Sequence, residues 1–265
     1  MKVKDVLLLI VLAGFWSVNA NAQLRGIKID KAVNAVAKGV QSFTISDAEV
    51  VGYANEYMQW SDAHNPVCKT TDSDAGMKAV AVRLEKIVSD IPSDIVKKHN
   101  LNILPYYVSD VNAFACANGD IRIFAALMDL MSDDEILAVI GHEIGHIVNK
   151  DSKDAFVTAL RISALKDVAG AVGGNNATKL SESQLGDLAE AMGNAQYSQK
   201  QENEADAYGY DFLKKCEKDP ANMASALSVL LNLQEEAGSP ENSKFQKLFS
   251  SHPDLQKRIE TLNKK

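Results

Sequence analysis

The sequence lacks several features that would point to other classes of protein. No cluster of basic residues is larger than a short pair such as Lys97-Lys98, and the formal net charge is −7. Nucleic acid is therefore not an expected partner, because phosphate binding needs a concentrated basic face. After about the first twenty residues, no apolar run is long enough to cross a membrane.

Cysteine is also scarce, with only 3 in 265 residues. The spacing of Cys68, Cys116 and Cys216 does not indicate a zinc site built from thiolates. In an oxidising compartment two of the three can pair. We expect a Cys68–Cys116 pair, because both residues lie in turn-rich or strand-edge surroundings, whereas Cys216 closes a predicted helix.

The amino terminus has the pattern of a signal peptide. A short basic start, Met1-Lys2-Val3-Lys4, precedes an almost wholly apolar run from Val6 to Phe15. Ala20-Asn21-Ala22 then supplies a small-x-small cleavage pattern, which predicts a signal peptide over residues 1–22 and a cut before Gln23. A transmembrane anchor is the alternative, and the shortness of the apolar run disfavours it. The interpretation favours a periplasmic or secreted mature protein.

The first part of the mature chain predicts helices. Residues 23–65 read as a helical segment, in which a second helix begins at Ser46-Asp47 with Glu49 in its first turn. Another helix is predicted from about Met77 to Val88, where apolar residues recur at helical spacing.

The centre of the chain changes to a period typical of strands. Leu101 to Val108 reads as a strand, and Pro105 favours an edge position or a bulge for it. The runs Val111–Ala117 and Asp120–Ala125 flank Asn118-Gly119, which is the strongest short signal for a hairpin. A small antiparallel sheet is therefore expected.

From Ser132 onward the pattern is almost wholly helical. Ser132 with Glu135 three residues later predicts a capping box at the start of a strongly apolar helix, which should be buried and central. Gly170 to Asn176 reads as a loop, and further helices follow. The expected fold class is α+β, rich in helices, with one small antiparallel sheet.

Two histidines in that buried helix have the spacing of metal ligands. His142 and His146 are four residues apart, so both imidazoles lie on one face and reach a single cation. Glu143 lies beside the metal, where it can take a proton from a bound water. We predict one Zn²⁺, because two imidazoles and one carboxylate leave the open position that a catalytic zinc needs. The alternative, two ordinary helix histidines with an ion-pairing glutamate, is disfavoured by the buried helix and the preceding hairpin.

A third ligand is predicted on a later helical segment. Glu202 and Asp206 are four residues apart and therefore share a face. Asp206 can accept the free N–H of a ligating imidazole and fix its tautomer. Glu204 is the competing ligand, and spacing alone favours Glu202 without deciding between the two.

These motifs together resemble a known family. The pattern His142-Glu143-x-x-His146 with Glu202-x-x-x-Asp206 resembles the gluzincin metallopeptidases, and more closely the HtpX and CAAX prenyl protease group with its periplasmic members. Asn112-Ala113-Phe114-Ala115 resembles the strand before the metal helix, and Ser251-His252-Pro253 with Arg258 resembles the end of the periplasmic members. The chain departs from the group's membrane-embedded branches in having no spanning helices, and from some periplasmic members in having no lipid-attachment cysteine.

The resemblance implies a zincin-like metallopeptidase domain over residues 66–265. It selects Glu202 as the third ligand, with Asp206 in support, and it implies that zinc polarises the scissile carbonyl while Glu143 activates water. His252 matches a histidine that can occupy the open zinc position and silence some relatives. A simpler reading, in which His252 only caps the last helix, is left open.

The expected substrates are polypeptides. An extended chain would add to a sheet edge through main-chain hydrogen bonds. Residues 112–117, with Asn112, Ala113 and Phe114 as the binding residues, or residues 120–124 would form that edge. Such recognition tolerates many sequences, which suits quality control of unfolded or misassembled envelope proteins and peripheral association with outer-membrane proteins. A chaperone that keeps the metal site but seldom cuts is the alternative, and the intact Glu143 argues against it. A zinc hydrolase for other substrates has no supporting motif.

Overall fold

A computed structural model describes residues 45–166, 179–237 and 246–265. The predicted signal peptide, residues 23–44 of the predicted helical segment and the predicted loop at Gly170–Asn176 lie outside the described residues. Ile45–Ser163 and Ala177–Lys265 form one compact unit. None of the helices in the described ranges is long and apolar enough to span a bilayer.

Helices surround one three-stranded sheet in this unit, which confirms the α+β class. The helices before and around the sheet are α1 (Asp47–His64), α2 (Ala75–Ser89), α3 (Ser93–Lys98) and α4 (Ala125–Met128). The strands are β1 (Asn102–Tyr106), β2 (Ala113–Ala115) and β3 (Asp120–Phe124). The later helices are α5 (Asp133–Val148), α6 (Asp151–Lys166), α7 (Glu182–Gly193), α8 (Gln199–Lys215), α9 (Asn222–Ala237), α10 (Gln246–Ser251) and α11 (Leu255–Leu262).

Serine caps fix the starts of the important helices. The Ser46 hydroxyl accepts from the backbone N–H of Glu49, whose carboxylate accepts from the backbone N–H of Ser46. Ser132 and Glu135 form the same reciprocal pair at the start of α5. Each pair satisfies backbone donors that a helix start leaves free. Both predicted helix starts are therefore confirmed.

The sheet has the order β1-β3-β2 and is mixed rather than antiparallel. The predicted hairpin is confirmed, because β2 and β3 pair antiparallel around Asn118-Gly119, where Gly119 adopts a φ of 95°. β1 lies at the sheet edge, as Pro105 indicated, but pairs parallel with β3. The direction differs because the chain crosses between β1 and β2 from one edge of the sheet to the other, and β3 enters between them.

The expected Cys68–Cys116 disulfide is wrong, since Cys68, Cys116 and Cys216 are all free and buried. Cys68 lies outside β1, where its N–H donates to Pro105, whereas Cys116 follows β2 at the opposite edge. Cys68 and Cys116 are therefore separated by three strand spacings, which amount to roughly 14 Å. A disulfide needs Cα atoms within about 7 Å.

Helix α5 is the buried centre of the unit, as predicted. Ile136, Ile140 and Ile144 are fully buried in the larger of two apolar clusters, which α5 shares with the sheet and with α8, α9 and α11. The second cluster lies between α1, α6 and α7. Phe114 of β2 packs against this second cluster, whereas Ala113 and Ala115 belong to the first.

A glycine allows α5 and α8 to approach closely. A Cβ atom added to Gly145 would lie 2.9 Å from the Cα and the carbonyl oxygen of Ala205, closer than real Cβ contacts. The missing side chain therefore lets the two backbones come together next to His146. This approach brings residues of α8 within reach of the α5 histidines.

Candidate metal centre

Helices α5 and α8 place three of the predicted metal ligands around one point. The Nε2 atoms of His142 and His146 are 3.0 Å apart. Glu202 Oε1 lies 3.4 Å from His146 Nε2, and Glu202 Oε2 lies 3.7 Å from His142 Nε2. With His252, the ligand atoms of this group all lie within 4.8 Å of one another.

The group has the chemistry of a zinc site. It offers imidazole nitrogens and one carboxylate, all buried, which is a common ligand set for catalytic zinc. Glu202 Oε2 is buried and accepts no hydrogen bond, although it forms an ion pair with Arg258. Glu204, the alternative ligand from spacing, lies on the exposed side of α8, 3.7 Å from Lys200. The structure thus brings Glu202 to the histidines and leaves Glu204 in solvent.

Two aspartates orient the histidines. Asp206 Oδ1 lies 2.9 Å from His142 Nδ1, the contact expected from the sequence. Asp151 Oδ2 lies 2.9 Å from His146 Nδ1. Each carboxylate accepts the Nδ1 proton and leaves Nε2 free to bind a cation. Asp151 was missed, because an aspartate in the first turn of a helix is ordinary and nothing in the sequence linked it to His146.

Arg258 ties the carboxyl-terminal helix α11 to the same centre. Its Nε and Nη2 atoms each donate to Asp206 at 2.7 Å, and its Nη1 atom lies against Glu202. The guanidinium is almost completely buried, with 1% exposure. It therefore compensates two buried carboxylates at once. Sequence reasoning placed Arg258 within a family segment but assigned it no contact.

These surroundings shift the pKa values of the two histidines in opposite directions. Burial lowers the pKa of His142, against the opposing effect of its hydrogen bond to Asp206. Burial also lowers the pKa of His146, but hydrogen bonds to Asp151 and Glu202 outweigh it and raise the pKa to about 9. His146 is therefore an imidazolium, with a proton on both ring nitrogens, at neutral pH in the metal-free protein.

The carboxylates at the centre remain ionised. Burial raises the pKa of Glu202, but the charge of His252 and the hydrogen bond from His146 leave that pKa far below its usual range. Burial likewise raises the pKa of Asp206, and the hydrogen bonds from Arg258 outweigh it, so that the pKa falls to about 2. Both side chains are anionic at neutral pH, as metal binding and imidazole support require.

Glu143 faces a cleft beside the ligands. The residues that line the cleft include Glu143, Tyr197 and His252, together with Asn112, Ala113 and Phe114. The ring of Tyr197 stacks on His146 with a centroid distance of 3.9 Å. The sequence gave no reason to select Tyr197, which precedes α8 in an irregular segment.

His252 points into the centre. Its Nδ1 atom is 3.0 Å from Glu202 Oε1 and 3.4 Å from His142 Nε2, and its Nε2 atom is 3.9 Å from Glu143 Oε1. Asp254, rather than His252, stands at the N-cap of α11. The side chain of His252 thus lies where a fourth ligand would lie.

The predicted substrate-binding strand borders the same cleft. β2 is an edge strand of the three-stranded sheet formed by the described residues. The alternative edge, residues 120–124, is wrong, because β3 lies between β1 and β2. Asn112, Ala113 and Phe114 line the cleft together with Glu143. An extended peptide paired with β2 would therefore pass next to Glu143.

A buried helix with the His-Glu-x-x-His motif, a second helix that supplies a glutamate and an adjacent sheet edge define a zincin-like metallopeptidase. The profile of peptidase family M48 matches residues 83–265. The chain belongs to this family, whose members depend in general on zinc. The protein is accordingly a metallopeptidase.

Relatives with the same activity cover most of the chain. Metalloprotease LoiP of Escherichia coli (strain K12) is 37% identical over 84% of this chain and 83% of its own length. Metalloprotease YcaL of the same strain is 33% identical over 89% of this chain and 87% of its own length. A protease HtpX homolog of Fusobacterium nucleatum is 28% identical over 68% of this chain and 69% of its own length.

Proposed function

We propose that the protein is an endopeptidase that holds one Zn²⁺ between His142, His146 and Glu202 and uses Glu143 as its general base. The observation that carries this proposal is the convergence of buried ligand atoms within 4.8 Å of one another, with Glu143 on the adjacent cleft wall. Such convergence of charged groups in a buried site is otherwise costly, which favours a bound cation.

The residues around the site have complementary tasks. A zinc ion bound there supplies a Lewis acid that polarises the scissile carbonyl and acidifies water. Glu143 takes a proton from the attacking water and returns it to the leaving amine. Asp206 and Asp151 hold His142 and His146 in the tautomer that presents Nε2.

The proposed substrates are unfolded or misassembled polypeptides of the cell envelope. Support comes from the edge strand β2, which would bind main chain with little regard to sequence, and from the signal-peptide pattern with its cut near Ala22-Gln23. The proposed location is the periplasm or the exterior, with peripheral association with outer-membrane proteins. The similarity to the metalloproteases LoiP and YcaL supports the cleavage of polypeptides.

His252 is proposed to restrain the enzyme. Its Nδ1 atom lies 3.0 Å from Glu202, beside both histidine ligands, so it would compete with water for a zinc ion held by these residues. Substrate entry along β2 would then require His252 to move away.

Cleavage of unfolded casein tests the proposed function. We expect wild-type protein to cut casein, a chelator to stop the reaction, and restored zinc to recover it. Glu143→Ala should lower the rate at least about a hundredfold while keeping its zinc, because a general base contributes about 10²–10⁴. Glu204→Ala is the matched control, since it removes an exposed carboxylate from α8. Equal cleavage by wild type and Glu143→Ala would contradict the proposal.

A further inference from the structure

A second cavity lies beside the cleft. It has a volume of about 350 Å³, and five of its fourteen lining residues are Phe, Tyr or Trp: Tyr57, Trp60, Tyr106, Phe114 and Phe124. We call this cavity the aromatic groove. Since an apolar cavity of about 150 Å³ accommodates benzene, the groove has room for a whole aromatic side chain.

The walls of the aromatic groove are held in place by their own contacts. The ring centroid of Tyr106 lies 6.3 Å from that of Phe114 and 5.7 Å from that of Phe124. In α1, Trp60 Nε1 donates to Glu182 at 2.6 Å, and the Trp60 ring stacks on His64 with a centroid distance of 4.1 Å. The five aromatic rings, with Val108, Ala189 and Met192, give the groove an apolar surface that suits an aromatic or large apolar group.

Strand β2 separates the aromatic groove from the catalytic helix. Ala113 and Ala115 pack in the cluster that contains α5, whereas Phe114 lines the groove on the other face. This alternation follows from the period of a β-strand, in which successive side chains point to opposite faces.

The free edge of β2 presents main-chain groups to a substrate. The carbonyl of Asn112 accepts from Phe124, and the N–H of Cys116 donates to Asp120, so these groups face β3. Because the direction alternates along an antiparallel strand, the main-chain groups of Ala113 and Ala115 face away from β3. A peptide paired there would place side chains opposite Ala113 and Ala115 towards α5, and the one between them, opposite Phe114, towards the groove.

The aromatic groove adjoins the cleft at Glu143. Asn112, Phe114, Met192 and Gly193 line both cavities. A peptide that follows β2 past Glu143 therefore meets both cavities along the same strand.

We propose that the aromatic groove is a specificity subsite that binds an aromatic side chain of the substrate on the sheet face opposite α5. This inference rests on the proposed peptidase function and adds a rule to it. Along the substrate, the preferred aromatic residue is the immediate neighbour of a residue whose side chain faces the catalytic helix.

Peptides with one movable phenylalanine test the subsite. Each peptide carries a single Phe at successive positions in a serine- and alanine-rich background, and mass spectrometry of the products fixes its position relative to the cut bond. Alternate side chains of an extended peptide face the groove. Phe should therefore raise kcat/KM at least about tenfold only at every second position, as expected for filling an apolar pocket. Trp60→Ala and Val108→Glu, which alter the lining of the groove, should reduce the advantage of Phe to less than about twofold.

A control variant and two further measurements complete the test. Tyr107→Ala removes an aromatic residue that is 45% exposed and does not line the groove, and it should keep the preference for Phe. Thermal unfolding shows whether each variant is folded. Fluorescence polarisation with the Glu143→Ala protein measures peptide binding without cleavage, and the Phe peptide should bind at least about tenfold more tightly than the Phe-free peptide.

The outcomes separate the subsite from the peptidase function. A wild-type protein that cuts no peptide contradicts the proposed function, while the binding preference of Glu143→Ala still reports on the groove. If peptides with Phe at any position bound no more tightly than the Phe-free peptide, the subsite proposal would be overturned. A Phe advantage that survives both Trp60→Ala and Val108→Glu would also overturn it.

Discussion

The metal centre and the aromatic groove lie on the two sides of strand β2 and are built by opposite means. The metal centre consists of buried polar and charged groups, in which His142 and Glu202 are each held by a further charged side chain. The groove combines five aromatic rings, such as those of Tyr57 and Phe114, with smaller apolar and polar side chains. A buried charge without its partner costs several kcal/mol, whereas apolar surfaces tolerate exchange. Single substitutions should therefore have large effects at the metal centre and smaller effects in the groove.

The largest expected effect breaks the metal centre alone. Glu202→Ala removes the only carboxylate ligand of the proposed set and leaves Arg258 without one of its two partners. We expect the zinc affinity, measured by competition with a chromophoric chelator, to fall more than about a hundredfold, beyond the effect typical of supporting residues. Glu204→Ala should retain wild-type affinity. Peptide preference at the aromatic groove should persist in Glu202→Ala, and similar zinc losses in both variants would refute the assignment of the ligand.

Helix spacing gives the next effect. Gly145→Ala would place a Cβ 2.9 Å from the backbone of Ala205, so α5 and α8 must separate. We expect a loss of about 1–3 kcal/mol in the free energy of unfolding, as for overpacked cores, together with weaker zinc binding. The matched control is Gly186→Ala, because a Cβ there meets nothing within 4 Å. That change should stabilise the protein by about 0.5–1 kcal/mol, since alanine favours a helix over glycine. Equal stability of the two variants would be inconsistent with close helix contact.

Proton release should distinguish the two histidine ligands. Hydrogen bonds to Asp151 and Glu202 raise the pKa of His146 to about 9, and the proton must leave before Nε2 binds zinc. Zinc affinity should therefore rise by about tenfold per pH unit below pH 9 and level off above it, because one proton is displaced. Titrations at pH 6, 7 and 8 measure the slope. A flat profile would show that His146 is already neutral in the metal-free protein.

The smallest effect concerns His252. If its ring competes for the metal's open position, His252→Ala should raise basal casein cleavage by about twofold to tenfold, a gain of roughly 0.4–1.4 kcal/mol. The preference of the aromatic groove for Phe should remain, because His252 does not line it. Unchanged or lower activity with normal zinc content would argue against a restraining role.

The same contrast explains what the sequence could predict. His142, Glu143 and His146 were identifiable because metal chemistry requires particular residue types at helical spacing. Spacing left Glu202 and Glu204 open, and the family register selected Glu202, which the structure places at the histidines. Asp151 and Tyr197 were not predictable, since they reach His146 through packing between separate segments.

The fold divides in a similar way. Capping boxes and the Asn118-Gly119 turn are local signals, and they predicted helix starts and the hairpin correctly. The parallel pairing of β1 with β3 depends on where a connection crosses the sheet, which no local pattern records. The aromatic groove likewise combines side chains from α1 and from all three strands, so its existence depends on the assembled fold.

The zinc environment in the purified protein tests the central claim most directly. X-ray absorption at the zinc edge of metal-loaded wild type should show at least two imidazole nitrogens and carboxylate oxygen at about 2.0–2.2 Å. This pattern of imidazole and carboxylate ligands should be lost in Glu202→Ala and retained in Glu204→Ala. Sulfur at about 2.3 Å, or fewer than two imidazoles, would contradict a centre built from His142, His146 and Glu202.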